Sequence, residues 1–146
     1  MAVADTESIA RGVFAEIAKR FPKLNMVENR SDPVEISITI PVQPGLSHQV
    51  WLCLQNGDEL GFSAGHFYNE WFPCTKQETV ERYIDAVSGL ISGRLRILEH
   101  WRGRRTVKAQ LQSPDDGKWV SIATSANISA LVPWPPKTLR IVQNKA

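Results

Sequence analysis

The 146-residue sequence has few of the residues from which disulfide frameworks, metal sites and membrane spans are built. Its two cysteines, Cys53 and Cys74, fall in no C-x-x-C or Cys/His spacing typical of zinc sites, and a domain of this length does not need a disulfide. No apolar run reaches the roughly 20 residues that cross a bilayer, and the N-terminus carries Asp5 and Glu7 rather than the basic residues of a signal peptide. We therefore expect a soluble, unsecreted, cytoplasmic protein with free thiols, and we predict no metal, no cofactor and no membrane partner.

Charge of one sign is also scarce over the whole chain, but not locally. The formal net charge is +2, and a composition of 42% hydrophobic and 22% charged residues is ordinary for one globular domain. The stretch 94–108 carries a net charge of +5, which leaves −3 for the remainder. Its basic residues are Arg94, Arg96, Arg102, Arg104, Arg105 and Lys108. The basic character is therefore local, and it can attract an anionic partner.

Hydrophobic periodicity predicts a helix and then an antiparallel meander in the first half of the chain. Apolar residues recur every three to four positions from Thr6 to Phe21, which is typical of an amphipathic helix that ends before Pro22. Strict alternation from Val34 to Ile40 predicts a strand with one buried face. The dipeptide Asn56-Gly57 favours a two-residue hairpin turn between two further strands. The three strands are predicted at 34–40, 48–55 and 58–64.

The second half repeats this order of elements. Thr75 and Glu78 have the spacing of a capping box at the start of a second helix, and Gly93 is placed to end that helix. Turn residues and alternation then predict a second meander. Its strands are predicted at 94–100, 105–112 and 118–124, with a further edge strand at 138–142 after the proline-containing segment 132–136.

The element order α-β-β-β-α-β-β-β predicts an α+β fold, with two helices packed on one face of a mainly antiparallel sheet. We expect a single domain over 1–146, with an ordered core at about 6–124 and a tail at 125–146. The order resembles that of the type III secretion chaperones, a class of small α/β proteins, over roughly residues 6–124. The resemblance rests on no sequence motif, and the pI of about 8.7 departs from the acidic character of that class. It therefore implies a fold and no function.

The segment from Gly65 to Cys74 is the first candidate site, because it holds four aromatic residues, a histidine, a carboxylate and a thiol in one predicted connection. The predicted ligand-binding residues are Phe67, Tyr68, Trp71 and Phe72. Aromatic side chains bury much area, so the same four residues also suit an aromatic plug at the end of the core, with a polar rim.

Catalytic candidates within this segment are His66, Glu70 and Cys74. Cys74 would lie near the positive end of the second helix, where a thiolate is stabilised, with His66 as its base and Glu70 as the group that orients His66. A lone cysteine beside an aromatic residue and a proline is also typical of a small buried hydrophobic residue.

The basic hairpin is the second candidate site. In the predicted pairing, Arg94 and Arg96 share one strand face with Lys108, and Trp101 lies at its edge. Such a surface can bind phosphate or stack on a base, whereas the alternative is a solvated sheet face that prevents edge aggregation. No RNP1-type aromatic pattern is present. The predicted phosphate or nucleic-acid residues are Arg94, Arg96, Arg102, Arg104, Arg105 and Lys108.

Two tryptophans, Trp51 and Trp119, lie within predicted strands and out of register with their apolar neighbours. Together on an outer face they would suggest a binding surface, unless the tail segment around Trp134 covers them. We predict a non-catalytic binding domain that recognises a protein or a small ligand through the aromatic segment and a sheet face. The alternatives are a nucleic-acid or phosphate binder that uses the basic hairpin, and a small enzyme that uses the Cys/His/Glu segment.

Overall fold

The computed structural model describes residues 5–126 and 136–145, and these residues form two helices and two antiparallel sheets. The elements are α1 (Thr6–Arg20), β1 (Val27–Glu28), β2 (Ile36–Ile40), β3 (Val50–Gln55), β4 (Glu59–Ala64), β5 (Phe67–Trp71), α2 (Gln77–Ser92), β6 (Arg96–Arg102), β7 (Arg105–Asp115), β8 (Lys118–Ala126) and β9 (Lys137–Val142). The strand orders are β1-β2-β3-β4-β5 and β8-β7-β6-β9. The predicted α+β class is confirmed. We expected a single sheet, but there are two. The strands that precede α2 in the chain pair with one another, and so do the strands that follow it.

Local signals account for α1 and for the turns. Asp5 caps α1 by accepting a hydrogen bond from the Ser8 N–H at 3.1 Å. Both residues of the predicted hairpin turn, Asn56 and Gly57, have positive φ angles, of 50° and 83°. Gly93 has a φ of 85° and ends α2, as predicted. The conformations at these positions are predictable from the sequence, because each depends on neighbours only a few residues away.

The capping box predicted at Thr75 is wrong. Helix α2 begins at Gln77, and its N-cap residue is Lys76, whose side chain makes no capping hydrogen bond. The Lys76 N–H donates to the Pro73 carbonyl at 3.1 Å, which closes a turn over the residues where we expected the helix to start. The first helical turn therefore comes later than the sequence spacing indicates.

One hydrophobic core lies between the helices and the two sheets. Buried residues of α1, α2 and the strands join in a single cluster, from Ala10 and Phe14 of α1 to Ile97 and Leu111 of the second sheet. Tyr83 of α2 is fully buried in it. The sides of the sheets that face this core are called inner faces below, and the opposite sides are called outer faces.

The residues after β9 fasten the second sheet to the first half of the chain. Asn144 is 3% exposed, and its Oδ1 accepts hydrogen bonds from the Ser47 N–H at 3.0 Å and from the Ser47 hydroxyl at 3.1 Å. Its Nδ2 donates to the Leu90 carbonyl of α2 at 3.3 Å. A Cβ at Gly93 would overlap the Asn144 carbonyl oxygen. The end of the chain is therefore held by specific polar contacts.

Strand β9 occupies the place of the edge strand that we predicted at 138–142. The proline-containing segment 132–136, apart from Pro136, and the predicted cover by Trp134 lie outside the residues that the structure describes. In the described part of the chain, neither helix has the length and apolar character that a membrane crossing needs.

We predict that Asn144→Ala lowers the free energy of unfolding by about 1–2 kcal/mol, because it removes the hydrogen bonds that this buried side chain makes to the Ser47 N–H, the Ser47 hydroxyl and the Leu90 carbonyl. Urea denaturation followed by circular dichroism measures the change. The control is Lys145→Ala at the next, exposed position, which we expect to change stability by less than about 0.5 kcal/mol. Equal effects of the two substitutions would contradict a role for the Asn144 side chain.

Candidate functional site

The middle of the aromatic segment, Phe67–Trp71, is a strand and not a loop. Gly65 has a φ of 56°, and the chain reverses through Gly65 and His66 so that Phe67 pairs with Ala64. Strand β5 then continues the first sheet beside β4. The prediction of a connection was wrong because a Gly-His turn lacks the Asn-Gly or Asp-Gly signal of a two-residue hairpin.

Pairing as a strand sends the four predicted ligand-binding aromatics to different places. Phe67 is 1% exposed in the core, and Trp71 packs against the same core, with its ring centroid 6.0 Å from that of Phe62. Tyr68 has the opposite strand parity and faces the outer side of the sheet. Phe72 follows the strand and is 60% exposed. Part of the segment is therefore an aromatic plug, and Tyr68 belongs to a different surface.

The three catalytic candidates do not come together. His66 precedes β5 and Cys74 follows it, so the strand separates them, while Glu70 faces the outer side. Cys74 is 1% exposed within the core, and its N–H donates to the Asp58 carbonyl at 2.9 Å. Burial raises the pKa of the Cys74 thiol, whereas a nucleophilic cysteine needs a lowered pKa.

His66 instead contacts Glu99 of the second sheet. Glu99 is 4% exposed, and its carboxylate accepts from the His66 N–H at 2.8 Å and lies 3.2 Å from the His66 Nδ1. The Trp101 Nε1–H donates to the other carboxylate oxygen at 3.1 Å. A Cβ at Gly65 would lie 2.6 Å from Glu99 Oε2, so this approach requires glycine. A buried carboxylate is costly unless donors surround it, and here the two sheets supply those donors.

Aromatic and cationic groups surround this carboxylate. The Trp101 ring contacts His66 edge-on, at 4.8 Å between ring centroids, and the Arg140 guanidinium lies 4.2 Å above the Trp101 ring. The His66 side chain is half-exposed, and its Nδ1 lies against the Glu99 carboxylate. The hydrogen-bond partner of the His66 ring is the Glu99 carboxylate, which is not a nucleophile of the hydroxyl or thiol type. The contact therefore joins the two sheets.

Sequence reasoning missed Glu99 as a partner of His66, because the two residues are 33 positions apart and meet only across two sheets. One signal was present. Glu99 shares strand parity with the buried Ile97, so it is a carboxylate on the apolar face of a strand. A charged residue at such a position indicates a buried partner.

The basic hairpin is less uniform than predicted. Arg94 lies before β6 and forms an ion pair with Asp85 of α2 at 2.9 Å, so it does not share a strand face with Arg96. Arg96 donates to Gln112 at 2.8 Å, and its guanidinium lies 4.2 Å above the Trp119 ring. The remaining predicted cations lie on β6, on β7 or at the turn between them, namely Arg102, Arg104, Arg105 and Lys108.

Strand β9 adds an apolar surface to this basic sheet. Leu139 and Ile141 are 59% and 54% exposed, and they pair with His100 and Leu98 of β6 on the outer face. Within 5–126 and 136–145, β6 is the strand that pairs with β9, so the far side of β9 is an edge.

Charge is segregated between the two halves of the chain. Residues 94–146 contain ten basic and three acidic residues, a net charge of +7, whereas 1–93 contain seven and twelve, a net charge of −5. The stretch 31–75, which includes β2 to β5, contains no lysine or arginine. The second sheet is therefore basic and the first sheet acidic.

The outer face of the first sheet carries an aromatic pair. The rings of Trp51 on β3 and Tyr68 on β5 are stacked across β4, with centroids 6.3 Å apart and an interplanar angle of 30°. Gly61 lies between their strands, and a Cβ there would be 2.5 Å from Cys53 Sγ and 3.2 Å from the Tyr68 hydroxyl. The Trp51 Nε1–H donates to the Ser37 hydroxyl at 2.8 Å. The outer position predicted for Trp51 agrees with this strand parity.

Cys53 has the same parity as Trp51 and Tyr68, yet it is fully buried, because neighbouring side chains cover it. Burial, and to a smaller extent the negative charges of Glu70, Glu35 and Glu59, raises the pKa of its thiol to about 11. Burial also raises the pKa of Tyr68. The uncharged forms of both groups are therefore favoured at neutral pH.

Comparison with known proteins assigns nothing to these surfaces: no protein-family model, no curated protein and no solved structure matches the chain. In the part of the chain that the structure describes, no three His, Cys, Asp or Glu side chains are grouped to hold a metal ion. The geometry and charge of the surfaces are therefore the features from which a function is inferred.

We predict that both cysteines of the folded protein react with iodoacetamide at pH 8 much more slowly than the same cysteines after unfolding in urea, because both are buried and both have raised pKa values. Mass spectrometry counts the labelled thiols. Rapid labelling of Cys74 in the folded state would contradict its place in the core.

The raised pKa of Cys53 also predicts how stability depends on pH. The unfolded thiol loses its proton near its ordinary value of 9, whereas the folded thiol keeps it until about 11. Stability is therefore fully present below pH 9 and falls as the pH rises toward 11. We expect the decline in unfolding free energy to be shallower in Cys53→Ala, and identical slopes in urea denaturation would contradict the shift.

We predict that Glu99→Gln destabilises the protein by about 1–3 kcal/mol, because the amide places an N–H group against donors that need an acceptor. Urea denaturation measures the loss. The control is Glu81→Gln on the exposed side of α2, which removes the same charge and should change stability by less than about 0.5 kcal/mol. A neutral Glu99→Gln would show that the carboxylate does not join the sheets.

Proposed function

We propose that the protein is a non-catalytic binding domain that takes an extended, acidic segment of a partner protein along strand β9. The observation that carries the proposal is the exposure of two large apolar residues, Leu139 and Ile141, on an edge strand of a basic sheet. Proteins usually protect such edges with proline, with inward charges or with a covering element, because exposed strands pair with other chains.

The geometry of β9 suits strand addition. An incoming strand gains hydrogen bonds from the unpaired backbone groups of the edge, and its alternate side chains contact those of the same face. Leu139 and Ile141 are two positions apart, so they project to the same outer side. An apolar residue at every second position of the partner would extend the contact with these two side chains.

The charge of the sheet supports an acidic partner. Lys137 at the start of β9 pairs with Arg102 of β6, and Arg104 and Arg105 are exposed at the neighbouring turn. Carboxylates in the partner would be attracted to these cations, which raises the association rate and orients the segment. Two of the four aromatic residues predicted to bind, Phe67 and Trp71, pack in or against the core, so we assign the binding of the acidic segment to the second sheet instead.

A nucleic acid remains the second candidate because the β6–β7 turn is basic. The arrangement of the tryptophans supports it less, since arginines already lie over the rings of Trp101 and Trp119 and occupy one face of each ring. Base stacking, which supplies much of the affinity for single strands, would have to use the remaining faces.

We predict that a short fluorescein-labelled peptide of alternating glutamate and valine binds the protein, and that the double substitution Leu139→Ser and Ile141→Ser weakens the binding about tenfold, because it removes both apolar anchors. Fluorescence anisotropy measures the affinity, and we expect it to fall with added salt. The control Val42→Ser removes a similarly exposed apolar residue outside the second sheet and should leave binding unchanged.

Two results would overturn the proposal. A peptide of the same composition with glutamates and valines in separate blocks lacks alternation. If it binds as tightly as the alternating peptide, the binding depends on net charge and not on strand pairing. Tighter binding of single-stranded RNA than of the alternating peptide, unaffected by the double substitution, would favour the nucleic-acid function. A strongly negative slope of log affinity against log salt would accompany RNA binding.

A further inference from the structure

We infer that the outer face of the first sheet is a second binding surface, which takes arginine side chains of a basic partner protein through Trp51, Tyr68 and Glu70. This surface is defined here as the aromatic-acidic face. It lies on β3 to β5, and the inference stands independently of the proposed role of β9.

The aromatic pair supplies the first part of the argument. Trp51 and Tyr68 are both half-buried, and their rings are close to parallel across β4. They approach each other because the β4 residue between them in register is the small Ser63, and because the Tyr68 hydroxyl lies over Gly61. The Trp51 and Tyr68 rings are also held in place, since the indole N–H donates to Ser37 and the phenol accepts from Gln55. A pair of fixed, partly exposed rings offers a flat face to a planar cation.

The charge around the pair supplies the second part. The stretch 31–75 has five carboxylates and no lysine or arginine. These are Asp32, Glu35, Asp58, Glu59 and Glu70. None of the five forms an ion pair with the residues that the structure describes, so a cation from outside the chain would meet no internal competitor.

Glu70 is the carboxylate best placed to act with the rings. It follows Tyr68 by two residues on the same strand, so both project to the outer side, and it pairs in register with Gly61. Its negative charge raises the pKa of Tyr68 and of Cys53, which places it near both groups. Glu70 is half-exposed and its carboxylate interacts with the Tyr68 hydroxyl, so a ligand that contacts the rings would meet this carboxylate beside them.

These features favour arginine over other cations. A guanidinium group stacks on an aromatic ring through its plane while its N–H groups donate to a carboxylate at the edge. A lysine ammonium ion is a compact, strongly hydrated charge and gains less from a flat ring. The same chain uses such stacking on the second sheet, where Arg96 and Arg140 cover Trp119 and Trp101. Those two arginines are already occupied, which favours an arginine from a different protein.

The test uses the full chain and a fluorescein-labelled peptide in which arginine alternates with glycine and serine. We expect the peptide to bind, and Glu70→Gln to weaken it about three- to tenfold, because the substitution removes the carboxylate and keeps the shape of the side chain. The matched control Glu81→Gln removes one negative charge from α2 and should change the affinity by less than about twofold. A peptide with lysine in place of arginine should bind more weakly than the arginine peptide.

Trp51→Phe supplies a second variant, which keeps an aromatic ring but weakens cation–π attraction, since the indole is the strongest ring for this contact. We expect weaker binding of the arginine peptide and a lower urea midpoint, because the indole N–H bond to the buried Ser37 hydroxyl is lost, so binding is measured without denaturant, where the variant is folded. Circular dichroism and urea denaturation of both variants separate lost binding from lost folding.

Three results would overturn the inference. Equal losses of affinity for the arginine peptide in Glu70→Gln and Glu81→Gln would show that net charge alone attracts the peptide. Binding of the lysine peptide as tight as that of the arginine peptide would show that stacking does not contribute. Concentration-dependent self-association in sedimentation velocity, abolished by Glu70→Gln, would show that the face binds a second copy of this chain. The Leu139→Ser and Ile141→Ser double variant should bind the arginine peptide normally, so the failure of one surface is distinguishable from the failure of the other.

Discussion

The buried carboxylate of Glu99 is the interaction on which the relative placement of the two sheets depends. A charge with little exposure is tolerated only where donors reach it, and its donors come from the Gly65-His66 turn of the first sheet and from Trp101 of the second. Asn144 makes a further polar connection, between the end of the chain and α2. Apolar contacts alone allow sliding, whereas these directional contacts specify one arrangement.

Because the two sheets are fixed relative to each other, their opposite charges lie at fixed positions on the surface of the protein. The acidic first sheet and the basic second sheet share one hydrophobic core, so their outer faces present electrostatic potentials of opposite sign on the same small protein. A net charge of +2 hides this polarity, because it adds two large contributions of opposite sign. A charged partner would therefore meet a different potential at each of the two outer faces.

The sequence predicted well those features that depend on near neighbours. The start and end of α1, the positive φ angles at Asn56 and Gly57 and the helix end at Gly93 follow from local backbone preference. The second meander that alternation predicted is also present, and Val107, Ala109 and Leu111 are buried on one face of its middle strand, β7.

Features that depend on distant residues could not be predicted in the same way. The pairing of His66 with Glu99 and the stacking of Trp51 on Tyr68 require knowledge of strand neighbours. Strand β5 was not predicted because its aromatic residues have neither strict alternation nor a strong turn signal before them.

The position of Gly61 has a practical consequence. Cys53 Sγ and the Tyr68 hydroxyl both lie over this glycine, so a side chain at position 61 would have to displace a buried thiol and an outer tyrosine together.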